Sequence, residues 1–325
     1  MSEGHASDAA MRERPHVLAL IPLPEVTRRA LSTLYDLHMA ERGPGEVDDA
    51  GDAVPLDRIV AVVTNGTTGL GAELMRRMPA LRVVSAFGVG HENVDLACAT
   101  QRGVVVTNAP GTNDETVADH ALGFLLALGR GYGALTQAVR AGDWERLRTA
   151  RPTLSGSVVG IIGMGRIGQG IARRCAAFGM RVLYCTRTPR AELAYDYEAD
   201  LLAMAGRCDY LVAACPGGAA TRHIIDADVL RALGPQGFVV NVARGSVVNT
   251  GDLVHAMQHG LIAGAGLDVL EDEPLVPEAL KSLDNVLITP HMAGRSPAAQ
   301  QAQTDALLAS FADVLAGRRP EHVVS

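Results

Sequence analysis

Short, β-branched apolar runs alternate with longer helix-like stretches along almost the whole chain. In the first half these runs are HVLALI (16–21), RIVAVVT (58–64), LRVVSAF (81–87) and GVVVTNA (103–109). They are nearly continuous rather than alternating in polarity, which is typical of strands that are covered on both faces, and such strands form parallel sheets. The first half is therefore expected to build a parallel α/β sheet.

The second half repeats this alternation and predicts a sheet of its own. Its apolar runs cover residues 157–162, 181–185, 209–214, 237–242, 262–268 and 285–289. Six strands with intervening helices favour a doubly wound sheet. An amphipathic segment at 115–139 separates the halves, and Asp114 is placed to cap its start. A last helical stretch, 297–317, has no strand after it and is expected to fold back on the first half.

Composition excludes several classes of function. The chain has 325 residues, 48% of them apolar, and this is enough for two globular domains. A net charge of -7 without a basic run argues against nucleic acid, and no apolar run reaches a membrane span of about 18 residues. Residues 1–15 lack the apolar core of a signal peptide and are expected to form a mobile tail. Five cysteines without a CxxC pair favour buried thiols in the reducing cytoplasm.

A glycine loop opens the second half. Gly163, Gly165 and Gly168 have GxGxxG spacing and follow directly on the run SVVGII. The first glycine permits a tight turn, the second lets the backbone approach a pyrophosphate, and the third lets helix and strand pack closely. Phosphates would meet the free N–H groups at the positive end of the helix dipole. The motif in this strand–turn–helix context predicts a dinucleotide site.

The stretch RVLYCTRTPR, residues 181–190, carries no acid where a ribose-binding Asp or Glu is usual. Thr186 and Thr188 stand there instead, and Arg187 between them offers a positive fork that suits a 2′-phosphate. We therefore expect NADP(H) to be preferred, with NAD(H) also usable. The alternative is a solvated surface arginine beside an indifferent NAD site.

Three residues with complementary chemistry follow strands of the second half. Arg244 comes after the run ending at 242, Glu273 follows Asp268 in GLDVLEDEP, and His291 lies in ITPHMAG. Carboxyl ends of parallel strands surround the ligand crevice, so these residues are expected to converge. An Arg can grip a carboxylate, a His can protonate a developing alkoxide, and a Glu can hold the imidazolium. This set fits the reduction of a carbonyl.

The chain resembles the D-isomer-specific 2-hydroxyacid dehydrogenases, and within them the hydroxypyruvate and glyoxylate reductase branch. The resemblance runs from about residue 58 to 315 and is carried by six motifs in the family's order: SAFGVGHENVDL, VTNAPGTNDETVADHALG, GIIGMGRIGQGIARR, NVARGSVVN, AGAGLDVLEDEP and ITPHMAG. It implies that Arg244 binds the substrate's carboxylate and carbonyl, that His291 is the acid/base and that Glu273 tunes it. It also implies that the backbone of Val89 and Gly90 holds the substrate carboxylate.

The resemblance also implies a set of cofactor-binding residues, and none that bind a metal. Asp268 would face the nicotinamide amide, while Arg166 and Ile167 would lie along the pyrophosphate. The full set is Gly163, Gly165, Arg166, Ile167, Gly168, Thr186, Arg187, Thr188, Cys215, Pro216, Thr221, Val242, Ala243, Asp268 and Gly294.

The implied architecture is a Rossmann nucleotide domain inserted into a discontinuous flavodoxin-like substrate domain. We place the nucleotide domain at 108–295 and the substrate domain at 16–107 and 296–325, and we expect a homodimer built on the nucleotide domain. The sequence departs from the family pattern at His91, where Tyr or Thr is usual, and at Asp114, where Thr is common.

The expected function is NADPH-dependent reduction of a small 2-keto acid to its D-2-hydroxy acid, with hydroxypyruvate or glyoxylate as substrate. Reduction of 2-ketogluconate is the close alternative, because related sugar keto-acid reductases share nearly all these motifs. A dinucleotide-sensing corepressor on the same scaffold is a third hypothesis. The Arg–Glu–His set argues against it, because such a protein has little need for turnover.

Overall fold

The computed structural model describes residues 14–49, 54–145 and 147–324, and their contacts group them into two units. The first unit runs to Thr112 and resumes at Pro297, and the second spans Asn113–Ser296. The tail expected at residues 1–15 lies outside the described residues except for its last two. None of the helices in the described part of the chain is long and apolar enough to cross a membrane.

The first unit is a parallel five-stranded sheet with helices on it. With strands and helices numbered along the whole chain, its strand order is β2-β1-β3-β4-β5, the flavodoxin-like order. Its elements are β1 His16–Ala19, α1 Glu25–Leu34, β2 Asp36–Met39, α2 Pro44–Asp49, β3 Ile59–Thr64, α3 Ala72–Arg76, β4 Val83–Ala86, α4 Leu96–Gln101, β5 Val105–Thr107 and α12 Pro297–Leu315.

Helix α12 completes the core of the first unit from the far end of the chain. Its Phe311 is fully buried and meets the ring of Tyr35 edge-on at 5.9 Å between centroids. The hydroxyls of Thr27 and Thr304 form a buried hydrogen bond of 2.7 Å between α1 and α12. The cover that α1 gives to this face of the sheet is therefore completed only by the last helix.

The second unit is a parallel seven-stranded sheet in the order β12-β11-β10-β9-β6-β7-β8. Counted within the unit this is the Rossmann order with one additional edge strand. Its elements are α5 Asp114–Arg130, α6 Tyr132–Arg140, β6 Val158–Ile162, α7 Arg166–Ala177, β7 Arg181–Cys185, β8 Asp196–Tyr197, α8 Leu201–Ala205, β9 Tyr210–Ala213, α9 Ala227–Leu233, β10 Phe238–Asn241, α10 Thr250–Gln258, β11 Gly264–Leu267, α11 Glu278–Lys281 and β12 Val286–Ile288.

The two strand orders confirm the predicted fold class, two doubly wound parallel sheets. All ten apolar runs that predict strands contain one. The sequence reading missed β2 and the two-residue β8, both of which are edge strands.

The amphipathic segment 115–139 contains two helices, and the expectation for its start was wrong. The first helix ends because Gly131 adopts a left-handed backbone with φ 66°. Asp114 is the first residue of α5 and not its cap, since Asn113 holds the capping position without a side-chain hydrogen bond. The Asp114 carboxylate instead accepts a hydrogen bond from Arg166 on α7.

Candidate active site

The glycine loop joins β6 to α7 and leaves the start of that helix open. Gly163 has φ 93°, and a Cβ there would lie 2.7 Å from the Cα of Cys215, so only glycine fits. A Cβ on Gly168 would collide with the carbonyl oxygen of Gly163. At Gly165 a Cβ would meet nothing within 4 Å, so the second glycine faces open space. This is the arrangement in which backbone can approach a phosphate.

The first turn of α7 presents hydrogen-bond donors for an anion. Gly165 is its capping residue and supplies no side-chain acceptor. The backbone N–H groups of Arg166 and Ile167 have no partner among the described residues. Free N–H groups at the positive end of a helix dipole attract an anion. The loop and the helix start therefore fit the pyrophosphate of a dinucleotide.

The segment after β7 contains one arginine that is free and one that is held. Arg190 donates to Glu192 Oε1 at 2.6 Å and to the carbonyl of Met164 at 3.2 Å. Arg187 is exposed and makes no hydrogen bond or ion pair with any residue that the structure describes. Thr186 closes the turn through a 2.7 Å hydrogen bond to the carbonyl of Thr188. Arg187 is thus the cation that remains available for a phosphate.

The loop after β9 lies against Arg244. A Cβ on Gly217 would lie 2.8 Å from Cγ of that arginine. The Thr221 hydroxyl donates to the Pro216 carbonyl at 2.7 Å and closes the loop. Cys215 is buried, and this burial raises the pKa of its thiol to about 11, so the thiol is an apolar wall rather than a nucleophile.

Arg244 follows the buried residues Val242 and Ala243 at the end of β10. Its carbonyl accepts a 2.9 Å hydrogen bond from the side chain of Asn241, and its guanidinium donates to the Ala243 carbonyl at 2.7 Å. The backbone of Gly245 then packs so closely on the carbonyl of residue 270 that a Cβ would overlap it. The backbone around the guanidinium is therefore fixed on both sides.

Glu273 and His291 form an acid–imidazole pair. Glu273 Oε2 lies 2.8 Å from His291 Nδ1, and its Oε1 accepts a 3.1 Å hydrogen bond from the backbone N–H of Leu270. Burial alone would raise the pKa of the Glu273 carboxyl. The hydrogen bond and charge of His291, the Leu270 N–H and the charge of Arg244 outweigh that effect and lower the pKa. Glu273 is therefore a carboxylate beside an imidazole that is 39% exposed.

Asp268 holds the loop that carries this imidazole. His291 has a left-handed backbone with φ 49°, and its N–H donates to the Asp268 carbonyl at 2.8 Å. The buried Asp268 carboxylate accepts from the Thr289 hydroxyl at 2.6 Å and from the N–H groups of Met292 and Ala293 at 2.9 Å each. A left-handed residue other than glycine costs about 1–3 kcal/mol, and these bonds offset that cost. Both oxygens of Asp268 are engaged within its own unit, and the contact with a nicotinamide amide stays a prediction.

The sequence reading overlooked two residues behind Asp268. His120 Nε2 lies 3.0 Å from the Thr289 hydroxyl oxygen, and the ring of His120 meets Phe124 edge-on. The His120 N–H therefore donates to Thr289, which donates to Asp268 in turn. Histidine and threonine far apart in sequence gave no signal for this relay.

The remaining expected positions lie as follows. Gly294 approaches Asn113 so closely that a Cβ would lie 2.5 Å from the side-chain amide nitrogen. Val89 and Gly90 follow β4 in the first unit, and the Val89 carbonyl accepts a 2.8 Å hydrogen bond from Asn108. The N–H groups of both residues have no partner among the described residues, which leaves them available to a carboxylate.

Comparison with known proteins identifies the scaffold. The family model described as "D-isomer specific 2-hydroxyacid dehydrogenase, NAD binding domain" matches residues 122–293. The chain is 40% identical over 261 residues to glyoxylate/hydroxypyruvate reductase A of Arabidopsis thaliana, which covers 80% of this chain and 83% of that protein. It is 36% identical over 308 residues to 2-ketogluconate reductase of Gluconobacter oxydans, or 93% of this chain and 97% of that protein.

A solved structure shows the same fold. The NADPH-dependent glyoxylate/hydroxypyruvate reductase of Sinorhizobium meliloti, in complex with NADP and malonate, superposes with a TM-score of 0.87. It is 39% identical in sequence, and the match covers 96% of this chain and 97% of that one.

Proposed function

The chain belongs to the D-isomer-specific 2-hydroxyacid dehydrogenase family, and we propose that it is an NADPH-dependent reductase of hydroxypyruvate or glyoxylate. The observation that carries this proposal is the pair Glu273–His291, a carboxylate 2.8 Å from an imidazole on a loop fixed by Asp268. Such a pair supplies the proton that reduction of a carbonyl needs near neutral pH.

Three residues of the chain have separate roles in the proposed reduction. Arg244 binds the carboxylate of the keto acid and polarises the neighbouring carbonyl. Reduced nicotinamide, when bound, supplies a hydride to the carbonyl carbon. His291 donates a proton to the oxygen as negative charge develops there, and Glu273 orients its ring through Nδ1. The product is a 2-hydroxy acid.

Preference for NADPH is assigned to Arg187, because its guanidinium has no partner among the described residues. A charge-assisted hydrogen bond contributes about 1.5–3 kcal/mol, and exposure puts Arg187 at the lower end. Arg187→Ala should therefore reduce the preference for NADPH over NADH by about tenfold. Arg190→Ala is the matched control, because that guanidinium is already held by Glu192. Unchanged discrimination in the Arg187 variant would remove this assignment.

The chemistry is tested by initial rates of NADPH oxidation with hydroxypyruvate, glyoxylate and 2-ketogluconate. We expect turnover with the first two and a loss of about two to four orders of magnitude in His291→Ala. A loss below tenfold would mean that the proton comes from another group. If none of the three keto acids supports NADPH oxidation while the protein still binds NADPH, the reductase proposal is wrong.

Reduction of a sugar keto acid is the second candidate function. It is favoured by the similarity to 2-ketogluconate reductase of Gluconobacter oxydans, which extends over 97% of that protein. A higher kcat/KM for 2-ketogluconate than for hydroxypyruvate would select it.

We also propose a homodimer formed through the second unit. Large apolar side chains in and after α6 are exposed there, Tyr132 by 53%, Val139 by 48% and Trp144 by 65%, and a partner copy would cover them. Light scattering should give twice the mass of one chain, and Val139→Asp should shift it to the monomer.

The expected cytoplasmic location stays a prediction. All five cysteines are free thiols.

A further inference from the structure

The cofactor loop contains an ion pair that the sequence reading did not foresee. Arg166 is the first residue of α7 and follows directly on Gly165, and its Nε donates to Asp114 Oδ2 on α5 at 2.6 Å. We propose that Asp114 is a positioning residue, which holds the Arg166 guanidinium ready for the pyrophosphate of the cofactor. This inference rests on the proposed dinucleotide function and concerns how tightly that ligand binds.

The geometry leaves the functional part of the guanidinium free. Asp114 engages only Nε, and the two terminal nitrogens of Arg166 have no hydrogen bond within the part of the chain that the structure describes. A guanidinium is planar, so fixing Nε also fixes the directions in which its terminal groups point. The Asp114 side chain is 11% exposed and that of Arg166 72%, so a buried anchor holds an exposed arm.

Other ion pairs also join the same two helices. Arg174 donates to Asp119 Oδ1 at 2.6 Å and bridges Glu115 at 2.8 Å, and Arg173 lies 2.7 Å from Glu115. These pairs lie further along α7, away from the glycine loop. Of these ion pairs, only that between Asp114 and Arg166 involves a residue in the first turn of α7.

Fixing a long side chain before binding lowers the cost of ordering it on binding. Ordering one flexible side chain at an interface typically weakens affinity by about two- to tenfold. Asp114 also places a negative charge near the phosphates, which would repel them if the carboxylate were not engaged by Arg166. The two effects have opposite signs, and binding measurements separate them.

The test measures dissociation constants of NADP⁺ by calorimetry for the whole protein and for Asp114→Asn. We expect Asp114→Asn to raise Kd by about two- to tenfold. Asp119→Asn is the matched control, since it breaks a pair of equal length between the same helices, and its Kd should stay unchanged. NAD⁺ should weaken by the same factor as NADP⁺, because both carry the pyrophosphate. Binding of 2′-AMP, which lacks the pyrophosphate, should not change.

The path through Arg166 is tested by a double-mutant cycle. In an Arg166→Met background, Asp114→Asn should no longer weaken binding, and removal of the unengaged carboxylate should leave Kd equal or lower; a further rise in Kd would overturn the proposal. Unchanged or tighter NADP⁺ binding in Asp114→Asn would overturn it as well. As long as the wild-type protein binds NADP⁺, that result would leave the proposed function intact. If the Asn variant does not fold, Asp114→Thr and Arg166→Met supply the same comparison. Failure of the wild-type protein to bind either dinucleotide would sink the proposed function itself.

Discussion

Replacing Asp268 by Asn should loosen the loop that carries the catalytic imidazole. The two carboxylate oxygens accept three hydrogen bonds, from the Thr289 hydroxyl and the N–H groups of Met292 and Ala293. An asparagine offers only one acceptor oxygen, and its NH₂ group must then face at least one of these donors. The variant therefore loses a charge-assisted hydrogen bond and leaves a buried donor without an acceptor.

The size of this effect follows from those two losses. A charge-assisted hydrogen bond contributes about 1.5–3 kcal/mol and an unsatisfied buried donor costs about 1–3 kcal/mol, so we expect about 2.5–6 kcal/mol in all. At about 2–4 °C per kcal/mol the unfolding midpoint of a unit of this size should fall by about 5–24 °C. With His291 no longer held in its left-handed conformation, kcat should fall about 10- to 100-fold.

Thermal unfolding and steady-state rates test both numbers. The matched control is Asp200→Asn, because Asp200 also accepts two backbone N–H groups but lies exposed at the start of α8. Asn is as good as Asp at that capping position, so the control should be nearly neutral. An Asp268→Asn protein with an unchanged midpoint of thermal unfolding and a kcat within twofold of wild type would refute the reasoning.

Three further substitutions give distinct outcomes. In Glu273→Gln the His291 ring loses the carboxylate that orients it, so kcat should fall by about tenfold or more; a kcat within twofold of wild type would exclude Glu273 from the mechanism. The pKa of Glu273 is lowered in the folded protein, so its ionised carboxylate stabilises the fold at neutral pH. This contribution to the free energy of unfolding is lost in the wild type only as the pH falls below the usual carboxyl range. Urea titrations at decreasing pH should show no such loss in Glu273→Gln. Gly245→Ala should destabilise by about 1–3 kcal/mol, because its Cβ overlaps the Leu270 carbonyl, and an unchanged urea midpoint would contradict this. Gly123→Ala, in open space within α5, should instead stabilise by about 0.5–1 kcal/mol in the same assay.

The strands were predictable where burial on both faces makes the sequence uniformly apolar. The strand β2 escaped because its sequence DLHM alternates in polarity, and it exists through pairing with β1 alone at the sheet edge. The break at Gly131 escaped for a different reason, since the apolar stripe continues through it while one glycine reverses the backbone. Periodicity reports which face is buried and is insensitive to a single left-handed residue.

The candidate site was predictable to the level of residue types. The order of the motifs brought Glu273 and His291 to neighbouring loops, and the structure places them in contact. The sequence singled out Arg187 by its place between Thr186 and Thr188, but it could not show that a neighbouring glutamate engages Arg190. Nor could it assign Arg166 to Asp114, since a partner 52 residues away is set by helix packing.

The position of α12 fixes an order of events during synthesis. Leu307, Phe311 and Val314 fill the same core cluster as Val17 and Leu31, so the first unit lacks part of its interior until the last helix leaves the ribosome. The second unit is continuous over Asn113–Ser296, so all of its strands and helices are made before α12. At about 5–20 residues per second, the intervening roughly 180 residues take about 10–40 s to translate. The part of the sequence that is made first is therefore the part whose core is completed last.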